Sequence, residues 1–317
     1  MRKGLLLALA LLVTLPAFAA AEWPNDKPIE IIVGFGPGGG TDIMARAMAP
    51  FLEKRLNAKF IVVNKPGASG EIAYTAIATA KPDGYTFGFV NTPGYLTVHY
   101  GRKAQFKIED IHLVGRMVDD PTGHVVRAGG EIKSVKDLVA MAKAKPKTVT
   151  IGTFGHGTDD HLAILKLERL AGVQFVNVPY AGMGQLMAAL LGGHLHVGGL
   201  NAGEFAGLSY DADKLRMIGV MSETRWEELK DVPTYKEQGF DVQMSSERGV
   251  GGPKGIAPAI LAKLTAAIVD MLKDPEFKKV ASQQKLPMAW LPGDKWSAKI
   301  AGDMKQLDEI WKASPWR

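Results

Sequence analysis

Two segments of this chain share one pattern, and that pattern restricts the folds open to it. Gly34-Phe35-Gly36-Pro37-Gly38-Gly39-Gly40-Thr41-Asp42 and Gly152-Thr153-Phe154-Gly155-His156-Gly157-Thr158-Asp159 both end in Gly-Thr-Asp. Ile29 to Val33 and Val149 to Gly152 lead into them and read as buried strands. Helical spacing follows each: Met44, Ala47, Met48, Phe51, Leu52 and Leu56 after the first, and a run to Ala171 after the second. Strands also read over 60–63, 85–90 and 175–180, and helices up to Thr79, over 135–144 and up to Leu191. Strand–turn–helix units in this alternation build an α/β protein with mostly parallel sheets.

The turns themselves have a chemistry. Glycine lets the backbone approach a ligand closely. The first N–H groups of a helix lack internal partners and sit at the positive end of its dipole. A glycine turn opening a helix is therefore an anion cradle. The plainer reading is an ordinary strand-to-helix connection, with Thr41 or Asp42, and Thr158 or Asp159, capping orphan N–H groups. Arg46, four residues after Asp42, is placed to pair with it. Glycine, 36 of 317 residues, exceeds its usual share of about 7%, as a binding role for several such turns requires.

Other chemistries lack their parts. Gly34, Gly36 and Gly39 match a dinucleotide fingerprint, but the next strand ends in Asn64-Lys65 where that fold wants an acid. There is no Gly-Lys dipeptide for a phosphate-binding P-loop and no G-x-S-x-G for serine acyl transfer. The chain has no cysteine, which removes disulfides, thiol catalysis and Cys-bound metals. His156, His161, Asp159 and Asp160 cluster at the second turn, and His194 and His196 are expected on a strand, but no H-E-x-x-H spacing occurs. No metal or other cofactor is expected. The net charge of +5 is spread without a Lys/Arg block, so nucleic acid is not an expected partner.

Met1-Arg2-Lys3, the apolar run Gly4 to Phe18 and the Ala-x-Ala sites before Glu22 read as a secretory signal peptide over 1–21. Without a cysteine at that site, a lipid anchor is not expected; the expected location is the periplasm. Met117 to Arg127 and Val242 to Gly255 look like two passages between lobes. The expectation is a first lobe of 22–120 and 247–317, with a second lobe of 121–246 inserted. The segments 258–270 and 294–314 read as helices.

Taken together and in order, the motifs resemble the Bug-type periplasmic substrate-binding proteins of tripartite tricarboxylate transporters. They are Trp23-Pro24, Pro37-Gly38-Gly39-Gly40-Thr41-Asp42 with Ala45-Arg46, Asn64-Lys65-Pro66-Gly67-Ala68-Ser69-Gly70, and Lys81-Pro82-Asp83-Gly84-Tyr85-Thr86. They continue with Gly155-His156-Gly157-Thr158, Tyr180-Ala181-Gly182, Gly192-Gly193-His194, Asp231-Val232-Pro233-Thr234 and Pro253-Lys254-Gly255.

The resemblance implies a two-lobed, type II periplasmic-binding-protein-like α/β fold with the ligand cleft between lobes and two crossover strands. It implies no catalysis, a small organic carboxylate as ligand, the membrane subunits of a transporter as partners, and a monomer. It points to Phe35, Gly39, Gly40, Thr41, Asp42, Ala68, Thr158 and Tyr180 as ligand-binding residues. Asn64, Asn91, Thr92, Thr153, Gly157 and Gly182 join them as neighbours at the strand ends and turns. Asn201 and Glu204 resemble one subgroup of the family, where these positions face the far end of the ligand. Many members carry Asp where this chain has His196 and an acid where it has Asn201, which bears on the substrate rather than the fold. An enzyme or a metal-binding receptor on the same scaffold is the alternative.

Overall fold

The computed structural model describes residues 23–24, 27–101, 103–208 and 214–316; the expected export segment 1–21 lies outside them. β1 (Ile29–Val33) exposes only Glu30, as a strand covered on both faces should. α1 (Gly40–Leu56) buries Met44, Met48, Leu52 and Leu56 at four-residue spacing and stops at Asn57, which takes a left-handed conformation. β2 (Phe60–Asn64), α2 (Glu71–Ala78), β3 (Thr86–Thr92) and the short α3 (Gly94–Thr97) follow. β2 and β3 both pair with β1 in parallel.

β4 (Ile111–Arg127) then runs 17 residues and leads into a second copy of the same design. That copy comprises α4 (Val135–Ala144), β5 (Thr150–Thr153), α5 (Asp159–Ala171), β6 (Val176–Pro179), α6 (Met183–Leu191) and β7 (Val197–Asn201). β5 pairs in parallel with β6 and β7. The short α7 (Ala202–Ala206) and β8 (Leu215–Val220) complete it. β9 (Ser245–Pro253) returns along β4, and α8 (Pro258–Lys273), α9 (Pro275–Gln283), β10 (Met288–Pro292) and α10 (Gly293–Ala313) close the chain.

The strand order is β2-β1-β3-β9-β4-β7-β5-β6, with β8 and β10 also on β4. β4 pairs with β9 from Ile111 to Pro121 and with β7 and β8 from Thr122 onward. One strand therefore serves both halves of this two-lobed fold. The expectation of mostly parallel sheets needs correction: every pairing made by β4, and that of β3 with β9, is antiparallel. The cause is the return path, because a chain that crosses and comes back must run against itself. A second correction concerns His194 and His196. They precede β7, in the turn after α6 where Gly193 takes a positive φ.

Each half has its own core. Ile31, Met48, Phe87 and Ile268 pack in the first, and Ile151, Ile164, Leu167 and Ile218 in the second. A third cluster joins them, with Leu162 of α5 among Tyr74, Tyr95 and Trp296.

Candidate functional site

The two glycine turns face each other. Phe35 and Phe154, one from each turn, meet edge to face with centroids 6.5 Å apart. The Gly36 N–H donates to Ala181 O at 3.3 Å, Ser69 Oγ to His156 O at 2.9 Å, and Thr97 Oγ1 to Gly157 O at 2.6 Å. These contacts join the halves around a small cavity. Its interior offers the centres of water-sized molecules about 30 Å³, room for roughly two or three waters.

Phe35, Gly39, Gly40, Thr41, Asn91, Thr92, Thr158, Gly182, Asn201 and Glu204 line this cavity. The remaining expected residues stand behind it. Asp42 accepts from the Gly38 N–H at 3.0 Å and pairs with Arg46 at 2.9 Å. Burial pushes its carboxyl up, but the bonds from Arg46, Gly38 and Asn64 outweigh burial and hold it below its ordinary range. Asn64 donates to Asp42 Oδ1 at 2.9 Å and to Phe35 O at 3.0 Å. Asp42, Asn64 and Arg46 thus brace the first turn from outside. Thr153 is tied to Asn177 at 2.6 Å, Gly157 gives its carbonyl to Thr97, and the Tyr180 N–H donates to Thr153 O at 2.7 Å. Ala68, in a left-handed conformation at φ 49°, lies on the loop beside Ser69.

Neither turn caps its helix as expected. Gly39 is the N-cap of α1, and Thr41 and Asp42 lie inside the first turn. The first N–H, that of Gly40, donates to Glu204 Oε1 at 2.9 Å. Thr158 is the N-cap of α5, but its hydroxyl donates to Gly155 O at 2.6 Å and its oxygen also lies against the Asp160 carboxyl. Asp160 Oδ2 accepts from the Phe154 N–H at 2.6 Å and so shapes the second turn. His161 Nδ1 accepts from the Gly157 N–H at 3.0 Å, which leaves its proton on Nε2. Burial holds this imidazole neutral, its pKa pushed down to about 3.

The cavity contains residues absent from the expected set. Arg248 of β9 is nearly fully buried. Its Nη1 donates to Asp120 Oδ2 at 3.0 Å, and its Nη2 to Asn201 Oδ1 at 2.7 Å and Glu204 Oε1 at 3.1 Å. Asp159 accepts from Thr122 Oγ1 at 2.6 Å and Asn201 Nδ2 at 2.8 Å. Burial pushes the Asp120 carboxyl up to about 7 despite the Arg248 charge, with Glu204 adding to the rise. Asp159 rises for the same leading reason. Ser246, Phe154 and Met183 complete the lining. A sequence signal for the network did exist: Asp119-Asp120 and Glu247-Arg248 sit inside the two segments expected to cross between lobes. Charged residues on buried strands need partners.

Two buried atoms in this wall have no hydrogen-bond partner: the Arg248 Nε–H donor and the Asn91 Oδ1 acceptor. Asn91 Nδ2 donates to Thr41 Oγ1 at 2.7 Å, so its free oxygen sits beside the opening of α1. The site therefore combines one guanidinium, two helix N-termini and buried carboxylates around one small cavity. It can hold a small polar molecule on all sides. Among the described residues no three His, Cys, Asp or Glu side chains are gathered for a metal ion. Nor is any helix among them long and apolar enough to cross a membrane.

A family model described as "Tripartite tricarboxylate transporter family receptor" matches residues 44–312. A UPF0065 protein from the gbd 5' region of Cupriavidus necator is 32% identical over 312 residues, covering 98% of this chain and 94% of the relative. A TctC solute-binding protein from Polaromonas, solved with no ligand, is 32% identical, covers 92% of this chain and 99% of its own, and superposes with a TM-score of 0.66. The periplasmic binding protein BugD is 25% identical, covers 91% of this chain and 98% of its own, and superposes with a TM-score of 0.84.

Proposed function

We propose, from the premise that this chain belongs to the tripartite tricarboxylate transporter receptor family, that it captures a small organic carboxylate in the periplasm and hands it to the membrane subunits of a transporter. The observation that carries this reading is the pair of facing helix N-termini, α1 and α5, with the cavity between them. Amide dipoles aimed into a low-dielectric space stabilise an anion far better there than in water. Gly39, Thr41, Asn91, Thr158 and Arg248 are the residues we assign to the ligand. Asp42 and Asn64 act by holding the first turn in shape.

Capture follows from differential affinity. A ligand that bonds both turns stabilises the closed arrangement and not an open one. The lobe borders lie near residues 120 and 246, where β4 exchanges β9 for β7.

Mass spectrometry of the small molecule that copurifies with the protein tests the reading directly. A carboxylic acid is expected. After ligand removal, a panel of organic acids should raise the melting temperature, by about 2.7 kcal/mol of stabilisation at one hundred times Kd. A panel without effect would overturn the proposal.

A further inference from the structure

The cradle at the start of α1 already holds a carboxylate, and it belongs to the protein. Glu204 Oε1 accepts from the Gly40 N–H at 2.9 Å and from Arg248 Nη2 at 3.1 Å, while Oε2 accepts from the Asn201 N–H at 3.2 Å. Two of the three guanidinium nitrogens are engaged by Asp120, Asn201 and Glu204. The Nε–H has no partner, and with both Nη2 donors taken by Asn201 and Glu204 it has no free Nη2–H beside it to clamp a carboxylate side-on. Among the described residues lining the cavity, Arg248 is the one cation, against Asp159 and Glu204. The unpartnered Asn91 Oδ1, held beside Thr41, asks for a donor close to whatever the α1 amides hold.

We infer that Glu204 is a specificity-determining residue that supplies one carboxylate of the site itself. The receptor therefore selects a compact monocarboxylate with a hydroxyl or amino group on the neighbouring carbon, and rejects dicarboxylates. This rests on the carboxylate-receptor reading above and narrows it. The ligand carboxylate takes the Arg248 Nε–H and the remaining α1 amides. Its hydroxyl or ammonium donates to Asn91 Oδ1. A second carboxylate would meet Glu204 and Asp159 in a space with no cation to spare, and like charges so placed are costly. The small cavity acts in the same direction, because a dicarboxylate has the larger volume.

The test is calorimetric titration of the ligand-stripped full chain with lactate, alanine, propionate, succinate and malate. Lactate or alanine should bind at least about tenfold more tightly than propionate, which leaves Asn91 Oδ1 unpaired. The lactate and alanine arms show whether the donor is a hydroxyl or an amine. Succinate and malate should be the weakest. In Glu204→Gln, malate should gain about tenfold or more relative to lactate. Tighter binding of succinate or malate by the wild type overturns this inference and leaves the carboxylate-receptor reading standing. An unchanged preference in a folded Glu204→Gln variant overturns the role of Glu204. Binding of none of these acids overturns this inference, and the carboxylate-receptor reading falls with it only if the wider panel of organic acids also leaves the melting temperature unmoved. If the variant does not fold, the wild-type comparison decides.

Discussion

Arg248 Nη1 lies 3.0 Å from Asp120 Oδ2, and the two side chains retain 3% and 1% of their exposure. The pair joins β9 to β4, the two strands that pass between the halves, and Arg248 lines the cavity between the glycine turns. A charge buried this deeply is held only by its partners. Burial lowers the pKa of the guanidinium, yet Glu204, Asp120 and Asp159 outweigh that effect and raise it. The junction between the halves and the wall of this cavity thus form one polar network.

Removing the cation should unfold this network. Arg248→Met leaves Asp120 and Glu204 without their counter-charge. The expected loss is roughly 3–5 kcal/mol, or roughly 5–15 °C in melting temperature. Scanning calorimetry checks it. A variant melting within a degree of the wild type would show that the network is not structural.

Asp120 should make stability depend on pH. Its folded pKa, about 7, lies above the ordinary 3.8. Between these values the folded state holds a proton that the unfolded chain has lost. The group's contribution is therefore full below about pH 4 and declines as pH rises through 7. Asp120→Asn removes the decline. The wild-type stability minus that of the variant should fall by a few kcal/mol, to order of magnitude, between pH 4 and pH 7.5. Urea denaturation at both pH values measures it.

His161 acts with the opposite sign. Its folded pKa, about 3, lies below the ordinary 6.5. The unfolded chain gains a proton between them and the folded one does not. The contribution is full above pH 6.5 and is lost as pH falls toward 3. His161→Asn should therefore lose less stability than the wild type between pH 7 and pH 4 in the same urea assay. A steeper loss in the variant would contradict this account.

Closure can be impeded without touching either core. A Cβ at Gly182 would stand 3.1 Å from Gly36 Cα across the interface. Gly182 has an extended backbone, φ −174°, that any residue adopts. Gly182→Val should therefore fold normally, with a ligand-free stability within about 0.5 kcal/mol of the wild type. Its ligand affinity should drop by about tenfold or more, because one lobe's backbone must shift before the cavity seals. Titration against the copurified ligand checks this.

Much of the design is legible in the residues. The periods of apolar residues mark β1, α1, β5 and α5, and the Gly-Thr-Asp repeats mark the two helix openings. These are local signals, set by backbone freedom and by which face must be buried. Asp42 and Asn64 show where local reading stops. Their positions beside the first turn are plain in the chain, yet their side chains turn away from the cavity to bond Gly38, Phe35 and each other. Which side of a turn a polar group faces depends on the partners that the fold brings near.

The chain alone determined the two strand–turn–helix units, the crossing segments and the glycine turns that can approach an anion. Tertiary structure decided what meets those turns. Gly40 and Glu204 are 164 residues apart, and Arg248 and Asp120 are 128 apart. No periodicity or spacing encodes such pairs. They arise because the fold brings α1, α7, β4 and β9 to one place, where buried charges must find partners, and that pairing fixes the electrostatics of the cavity.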